Sequence, residues 1–140
     1  MGHYVVIETR VHLPTPPGRD RTRHLGALLE VLTEANAEWF ERHPDAPCCL
    51  AQARPSVTYK EPPKNQPSQA IYSAPEVLRR RRATCVDAAA YDAGAARARG
   101  LTAWVELEPT SSTDYHVVAF IEGQRVDSSA LLRSGVCSCP

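Results

Sequence analysis

Three residues in the second half of the chain could together carry out acyl chemistry: Cys85, His116 and Asp127. A cysteine attacks carbonyl groups as its thiolate, and a nearby imidazole can take up the thiol proton and return it later. A carboxylate beside the imidazole fixes which ring nitrogen carries the proton. The order of these residues predicts a Cys–His–Asp site with Cys85 as nucleophile, His116 as general base and acid, and Asp127 as the orienting group.

The element that must position the thiol is a helix predicted from Thr84 to Arg99. Thr84 is a typical N-cap residue, and Asp87 three positions later resembles the acidic partner of a capping box. Gly100 suits the left-handed conformation that often ends a helix. Cys85 would then be the first helical residue, where the positive helix end is expected to lower the thiol pKa. The backbone N–H groups there could also hold an oxyanion.

Two strands and a hairpin must bring the other two side chains into place. Residues 101–108 alternate between apolar and polar, which predicts a strand with one face on the core. Residues 115–121 are almost continuously apolar, which is typical of the central strand of a sheet. Glu122-Gly123-Gln124 predicts a tight turn into a short strand that ends at Asp127. Asp127 would then lie beside His116 on the neighbouring strand.

The first half of the chain contains patterns that predict elements of the supporting scaffold. An alternating stretch from Tyr4 to Leu13 predicts a strand, and helical spacing of apolar residues predicts a helix over Arg23–His43. Asp20 or Thr22 could cap that helix, and the Trp39-Phe40 pair is expected in the core.

A proline-rich region follows this helix. It contains a short strand at Ser56–Tyr59, a long loop at Glu61–Ser68 that is either a cleft wall or a surface loop, and a short helix that starts near Ser73 and ends near Arg80. Ser128–Pro140 is expected to be a tail with one helical turn. The four consecutive arginines Arg79–Arg82 are interpreted as a solvated turn, with a phosphate or partner contact as the alternative.

Composition narrows the class of protein. The chain has 140 residues and a formal net charge of zero, which predicts one domain and argues against a nucleic-acid binder with a basic surface. No apolar run is long enough for a membrane span, and the N-terminus lacks the order of a signal peptide, so we expect no membrane and an intracellular location. We expect no cofactor.

The five cysteines are an odd number, so at least one lacks an intrachain partner. The spacing of Cys48, Cys49, Cys137 and Cys139 does not match a structural zinc site, so half-buried or surface thiols are favoured over a metal site or disulfides.

The motif sequences resemble the transglutaminase-like branch of the papain-type cysteine peptidase superfamily. The resemblance covers roughly residues 25 to 127. It is carried by Thr84–Ala90, Arg97–Ala103, Tyr115–Val118 and Asp127. With the upstream stretches Asn36–Pro47 and Tyr59–Glu61, the chain is most similar to short transglutaminase-like proteins of phages and prophages.

This resemblance implies an α+β fold with a transglutaminase-like, papain-type core, in which a cysteine-bearing helix packs on a small antiparallel sheet. It implies a thiol-dependent hydrolase or acyltransferase that acts on a peptide or protein acyl substrate. The alternative is an inactive relative that serves as a structural or assembly component of a phage particle and contacts other particle proteins. The implied location is the bacterial cytoplasm or the virion.

The chain departs from the family pattern at two points. Arg82-Ala83-Thr84 stands where the family often has glycine and a small or acidic residue before the cysteine. No obvious side chain for an oxyanion is present, and Gln66, Gln69 and Tyr72 are weak candidates upstream.

Overall fold

The computed structural model describes residues 19–61, 70–110, 115–136 and 139, with side chains from Leu25 onward. This part of the chain has an α+β fold. The predicted strand Tyr4–Leu13 and nearly all of the predicted loop Glu61–Ser68 lie outside the described residues. A short 3₁₀ turn at Leu50–Ala53 follows the first helix. The helices and strands are α1 Arg19–Arg42, β1 Thr58–Tyr59, α2 Ala74–Arg80, β2 Arg82–Ala83, α3 Cys85–Ala98, β3 Ala103–Pro109, β4 Tyr115–Ile121, β5 Gln124–Val126 and α4 Ser128–Ser134.

Strands β3, β4 and β5 form an antiparallel sheet with β4 in the centre, as its apolar sequence predicts. The β3–β4 ladder places Glu108 opposite His116 and Val105 opposite Ala119. The turn between β4 and β5 has positive φ at Glu122 and at Gly123, which matches the twist of a tight hairpin. The predicted hairpin is therefore confirmed.

Strands β1 and β2 form a separate parallel pair in which Tyr59 lies opposite Ala83. The N–H of Lys60 also donates to the Ala83 carbonyl at 2.8 Å. This pair joins the segment before the long loop to Arg82 and Ala83, which directly precede the N-cap residue of α3, so β1 lies near the start of the cysteine helix.

Helix α3 is the centre of the fold, and its residues from Cys85 to Ala96 are all buried. Its many alanines let the neighbouring elements approach closely. Asn36 of α1 joins three helices, because its side-chain N–H donates to the Ala90 carbonyl at 3.1 Å and its carbonyl accepts from the Ala74 N–H at 2.8 Å. These bonds hold α1 and α2 against the side of α3.

Two groups of buried side chains fill the interior on either side of α3. The first lies between α1, α3 and the sheet and includes Cys85 and Val117. The second lies between α3, α2, the 3₁₀ turn and α4 and includes Phe40, Tyr91 and Leu132. The Phe40 ring packs edge-on against Tyr91 with ring centres 4.8 Å apart, which confirms that Phe40 lies in the core. Trp39 is half-buried and packs against the same group.

Three predictions about the ends of elements are corrected. Helix α1 already begins at Arg19, so Asp20 and Thr22 lie inside the helix and neither caps it. The predicted tail instead forms α4 over Ser128–Ser134 and buries Leu132. The strand predicted from Ser56 is limited to Thr58–Tyr59.

The basic run is largely exposed, as predicted for a solvated turn: Arg79, Arg81 and Arg82 are exposed and Arg80 is half-buried. Both Arg79 and Arg80 donate to the carboxylate of Glu76, and the Arg80 guanidinium lies 4.3 Å from the centre of the Tyr72 ring. These contacts stabilise the last turn of α2, which Arg81 ends in the left-handed conformation.

Three cysteines are cross-linked, contrary to the expectation of thiols. Cys48 and Cys139 form a disulfide, and Cys49 is also disulfide-bonded. Among the described cysteines only Cys85 is a free thiol. Spacing rules for zinc ligands argued against a metal site but could not show that the chain after α4 returns to Cys48.

Candidate active site

Cys85 occupies the first position of α3, as predicted. The Thr84 hydroxyl accepts from the Asp87 N–H at 3.5 Å, and the Asp87 carboxylate accepts from the Thr84 N–H at 3.1 Å. This reciprocal pair is the predicted capping box. It fixes the direction in which the chain enters the helix, and therefore where the Cys85 side chain lies.

The Cys85 thiol is buried against the sheet, with 4% of the residue exposed. Burial raises the pKa of the thiol, although hydrogen bonds from the Val117 and Val86 backbones act in the opposite direction. The sequence predicted a lowered pKa at the positive helix end, and that direction is wrong, since desolvation of the thiolate outweighs the N–H groups around it. In this closed form the thiol is a weak nucleophile.

Strand β4 contributes to both parts of the candidate site. Its Val117 belongs to the same buried group as Cys85, and its His116 carries the imidazole. Strand β5 pairs with β4 only as far as Ala119, so its ladder does not reach these two residues.

His116 and Asp127 are brought together as the hairpin predicts. The Nε2 atom of His116 lies 3.0 Å from Oδ1 of Asp127, and both side chains are about one quarter exposed, at 24% and 28%. A carboxylate at this distance fixes the ring orientation and tautomer. Since Nε2 is occupied by Asp127, Nδ1 is the nitrogen left to exchange a proton with a thiol.

Asp127 also caps α4. Its Oδ1 accepts from the Ser129 hydroxyl at 2.9 Å and from the Ala130 N–H at 3.2 Å. Burial works against the ionised form, but these bonds and the one to His116 hold the pKa of Asp127 below its usual value. The orienting carboxylate is thus kept charged and rigid by the first turn of the helix that follows it.

Within the described residues no hydrogen bond joins the Cys85 sulfur to His116. The structure thus brings His116 and Asp127 into contact and places Cys85 beside the next residue of the same strand, without a formed Cys–His pair. Catalytic hydrogen bonds are often loose before a substrate binds.

Sequence reasoning missed two residues of this region. Tyr59 of β1 packs against the buried group that contains Cys85, and Glu108 lies directly opposite His116 in the β3–β4 ladder. Arg125 engages the Glu108 carboxylate through two hydrogen bonds, at 2.6 and 2.7 Å, which leaves Asp127 as the carboxylate bonded to the imidazole. Period-two alternation could have placed Glu108 on the face of His116, but no local signal links Tyr59 to Cys85.

A cavity of about 100 Å³ lies beside the start of α3, lined by Lys60, Glu61, Ala70, Tyr72, Arg82, Ala83, Thr84 and Asp87. It runs along the residues before the cysteine, where the sequence departs from the family pattern. Of the weak oxyanion candidates, Gln66 and Gln69 lie outside the described residues. Tyr72 lines this cavity, and its ring is covered by Arg80.

Neither a metal nor a membrane site is found in the described ranges. They contain no group of three or more histidine, cysteine, aspartate or glutamate side chains arranged to hold a metal ion. They also contain no helix long and apolar enough to cross a bilayer.

Comparison with protein-family models, with curated proteins and with solved structures finds no match to this chain.

Proposed function

We propose that this protein is a thiol-dependent hydrolase or acyltransferase with a transglutaminase-like core that uses Cys85, His116 and Asp127. The observation that carries the proposal is the 3.0 Å contact between Asp127 and His116, a residue of β4, together with the packing of Val117 of the same strand in the buried group that contains Cys85. This arrangement supplies a nucleophile, a proton carrier and an orienting group from three separate elements.

The reaction proceeds through a thioester. The Cys85 thiol gives its proton to Nδ1 of His116 while the sulfur attacks the carbonyl carbon of a peptide or protein substrate. The protonated His116 then donates to the leaving amine, the carbon–nitrogen bond breaks, and an acyl thioester remains on Cys85. Water or a second amine attacks this thioester after giving its proton to His116, and the sulfur leaves as the thiol on proton return. Asp127 stabilises the imidazolium in both halves of the cycle.

A specific observation favours a second candidate, an inactive relative that serves as an assembly component of a phage particle. The thiol is 4% exposed, and burial raises its pKa. A protein retaining the fold only for contacts would need no access to this sulfur, and the cysteine would be an ordinary buried residue.

Alkylation of Cys85 by iodoacetamide distinguishes the two candidates. We expect wild-type protein with intact disulfides to be labelled at about pH 6, because a transient Cys–His pair produces thiolate below the pH at which an isolated thiol ionises. Mass spectrometry should locate the label on the Cys85 peptide, and Cys85→Ala should remove it. Labelling that appears only in alkaline solution or after unfolding would contradict the enzyme and favour the assembly component.

The histidine and its partner provide the second part of the test. His116→Ala and Asp127→Asn should move the alkylation profile of Cys85 to higher pH, since each removes the proton carrier or its orientation. Ser129→Ala is the matched control, because it deletes one donor to Asp127 and leaves the contact with His116 in place. A profile that is the same in wild type and His116→Ala would exclude the Cys–His pair.

A further inference from the structure

Tyr59 packs against both buried groups that adjoin the elements of the candidate site. Its strand β1 is paired with Ala83, two residues before Cys85. The half-buried Tyr59 side chain packs against both buried groups, one containing Cys85 and the other containing Leu132 of α4. Tyr59 therefore bridges the element that carries the thiol and the helix that Asp127 caps.

Arg133 holds this ring from the solvent side. Its guanidinium carbon lies 4.8 Å from the centre of the Tyr59 ring, within the range of a cation–π contact. Burial raises the pKa of the Tyr59 phenol, and the charges of Cys85, Glu61 and Asp127 raise it further while Arg133 lowers it. The charges of both Cys85 and Asp127 thus act on this phenol.

We propose that Tyr59, with its ring held by Arg133, covers the Cys85 thiol and positions the acyl group that approaches it. Cys85 is almost fully buried, and the half-buried Tyr59 packs against the buried group that contains it, so the Tyr59 ring forms part of the boundary between that group and solvent. The role in positioning an acyl group rests on the proposed function, but the role as a cover does not. Tyr59 is thus a positioning residue that acts through access to the sulfur.

The rate of Cys85 alkylation at about pH 9 tests the cover, because a thiolate forms there without help from His116. Tyr59→Ala should be alkylated about tenfold faster than wild type, and Tyr59→Phe, which keeps the ring, within about twofold of wild type. Arg133→Ala should give an increase of about threefold that Arg133→Lys reverses, since lysine keeps the cation over the ring.

Tyr72 provides a matched control. It is also half-buried and carries an arginine over its ring, Arg80 at 4.3 Å, but it packs against the buried group that contains Leu132 and not against the one that contains Cys85. Tyr72→Ala should leave the alkylation rate unchanged. Equal acceleration in Tyr72→Ala and Tyr59→Ala would overturn the proposal, since it would reflect general loosening.

A folded Tyr59→Ala protein that reacts at the wild-type rate would also overturn it. If Tyr59→Ala does not fold, the test uses Arg133, which is exposed. An Arg133→Ala protein that is alkylated at Cys85 at the wild-type rate would overturn the proposal that Tyr59 covers the thiol. The outcome is separable from that of the proposed function. If Tyr59→Ala is alkylated faster while His116→Ala keeps the wild-type pH profile, Tyr59 covers the thiol but the protein is not a Cys–His enzyme.

Discussion

Two buried aspartates of α3 have different partners, although burial raises the pKa of each to about 6. Asp87 accepts from two backbone N–H groups, those of Tyr72 at 2.8 Å and Thr84 at 3.1 Å. Asp92 accepts from the Leu50 N–H at 2.9 Å and lies near the Ser128 hydroxyl, whose oxygen has no well-formed hydrogen bond among the described groups. An asparagine amide has only one accepting oxygen, so it would replace the Asp87 carboxylate poorly and the Asp92 carboxylate well.

The pKa of each group is higher in the folded protein than the ordinary value of 3.8. The stabilising contribution of each group is therefore fully present below about pH 3.8 and is lost as the pH rises through about 6. For Asp92 the loss is on the order of 3 kcal/mol at pH 8.

Asp92→Asn should remove this loss. The amide cannot ionise, its oxygen accepts from Leu50, and its N–H can donate to Ser128. We expect the free energy of unfolding, from urea titrations, to rise by on the order of 2 to 3 kcal/mol at pH 8 and to be nearly unchanged at pH 4.

Asp87→Asn is the matched variant, in which removal of the same charge should not stabilise the protein. Its amide N–H would face either the Tyr72 or the Thr84 N–H, and one donor would lose its acceptor. We expect a destabilisation of about 1 to 2 kcal/mol at pH 4, where Asp92→Asn has no effect. Equal effects of the two substitutions at both pH values would show that the hydrogen-bond partners do not matter.

At the scale of elements, close contact between α1 and α3 depends on a glycine. A Cβ atom at Gly94 would lie 2.5 Å from Cβ of Asn36 and 3.2 Å from the Ala37 nitrogen. The same Asn36 makes the bonds that join α1 to α2 and α3. Any side chain at this position would push the helices apart and strain those bonds.

Gly94→Ala should therefore destabilise the protein by about 2 to 3 kcal/mol, although alanine favours a helix by about 1 kcal/mol over glycine. Gly26→Ala in α1 is the control, because its new Cβ would find its nearest neighbour, Leu107, at 4.0 Å. That variant should be about 0.5 to 1 kcal/mol more stable than wild type. A Gly94→Ala protein as stable as Gly26→Ala would show that the helices can separate without cost.

The elements themselves were largely predictable because their signals are local. The capping box of Thr84 and Asp87, the continuous apolar run of β4 and the hairpin turn at Glu122-Gly123 each depend on neighbours in sequence. The contact between His116 and Asp127 followed from the length of that hairpin. The direction in which the Cys85 pKa is shifted could not be predicted in this way, because it is set by how deeply α3 is buried.

The same limit explains why Tyr59 was missed. The parallel pairing of β1 with β2 joins residues separated by a long loop, and nothing in either short strand indicates the other. The cross-link between Cys48 and Cys139 is a similar case, since it depends on the path of α4 across the molecule.

At the scale of the whole molecule, a disulfide joins Cys139, after α4, to Cys48 in the segment after α1. The bond between Cys48 and Cys139 spans 91 positions, and the enclosed chain includes all three residues of the candidate site. Helix α4, which Asp127 caps, lies between the site and the cross-link and packs against the 3₁₀ turn that follows Cys48. The cross-link therefore restrains the element on which the His116–Asp127 contact depends.

Reduction of the disulfides should lower the free energy of unfolding by about 4 kcal/mol, since closing a loop of this length removes much entropy from the unfolded chain. Urea titrations with and without dithiothreitol measure the effect, and the Cys85→Ala background prevents exchange with the free thiol. Because α4 is held less firmly after reduction, alkylation of Cys85 in the otherwise native chain should also become faster in the Cys48→Ala/Cys139→Ala variant. An unfolding midpoint that is the same in oxidised and reduced protein would mean that the cross-links add no stability, and the contact between Asp127 and His116 would then be maintained by the hairpin and by the packing of α4 alone.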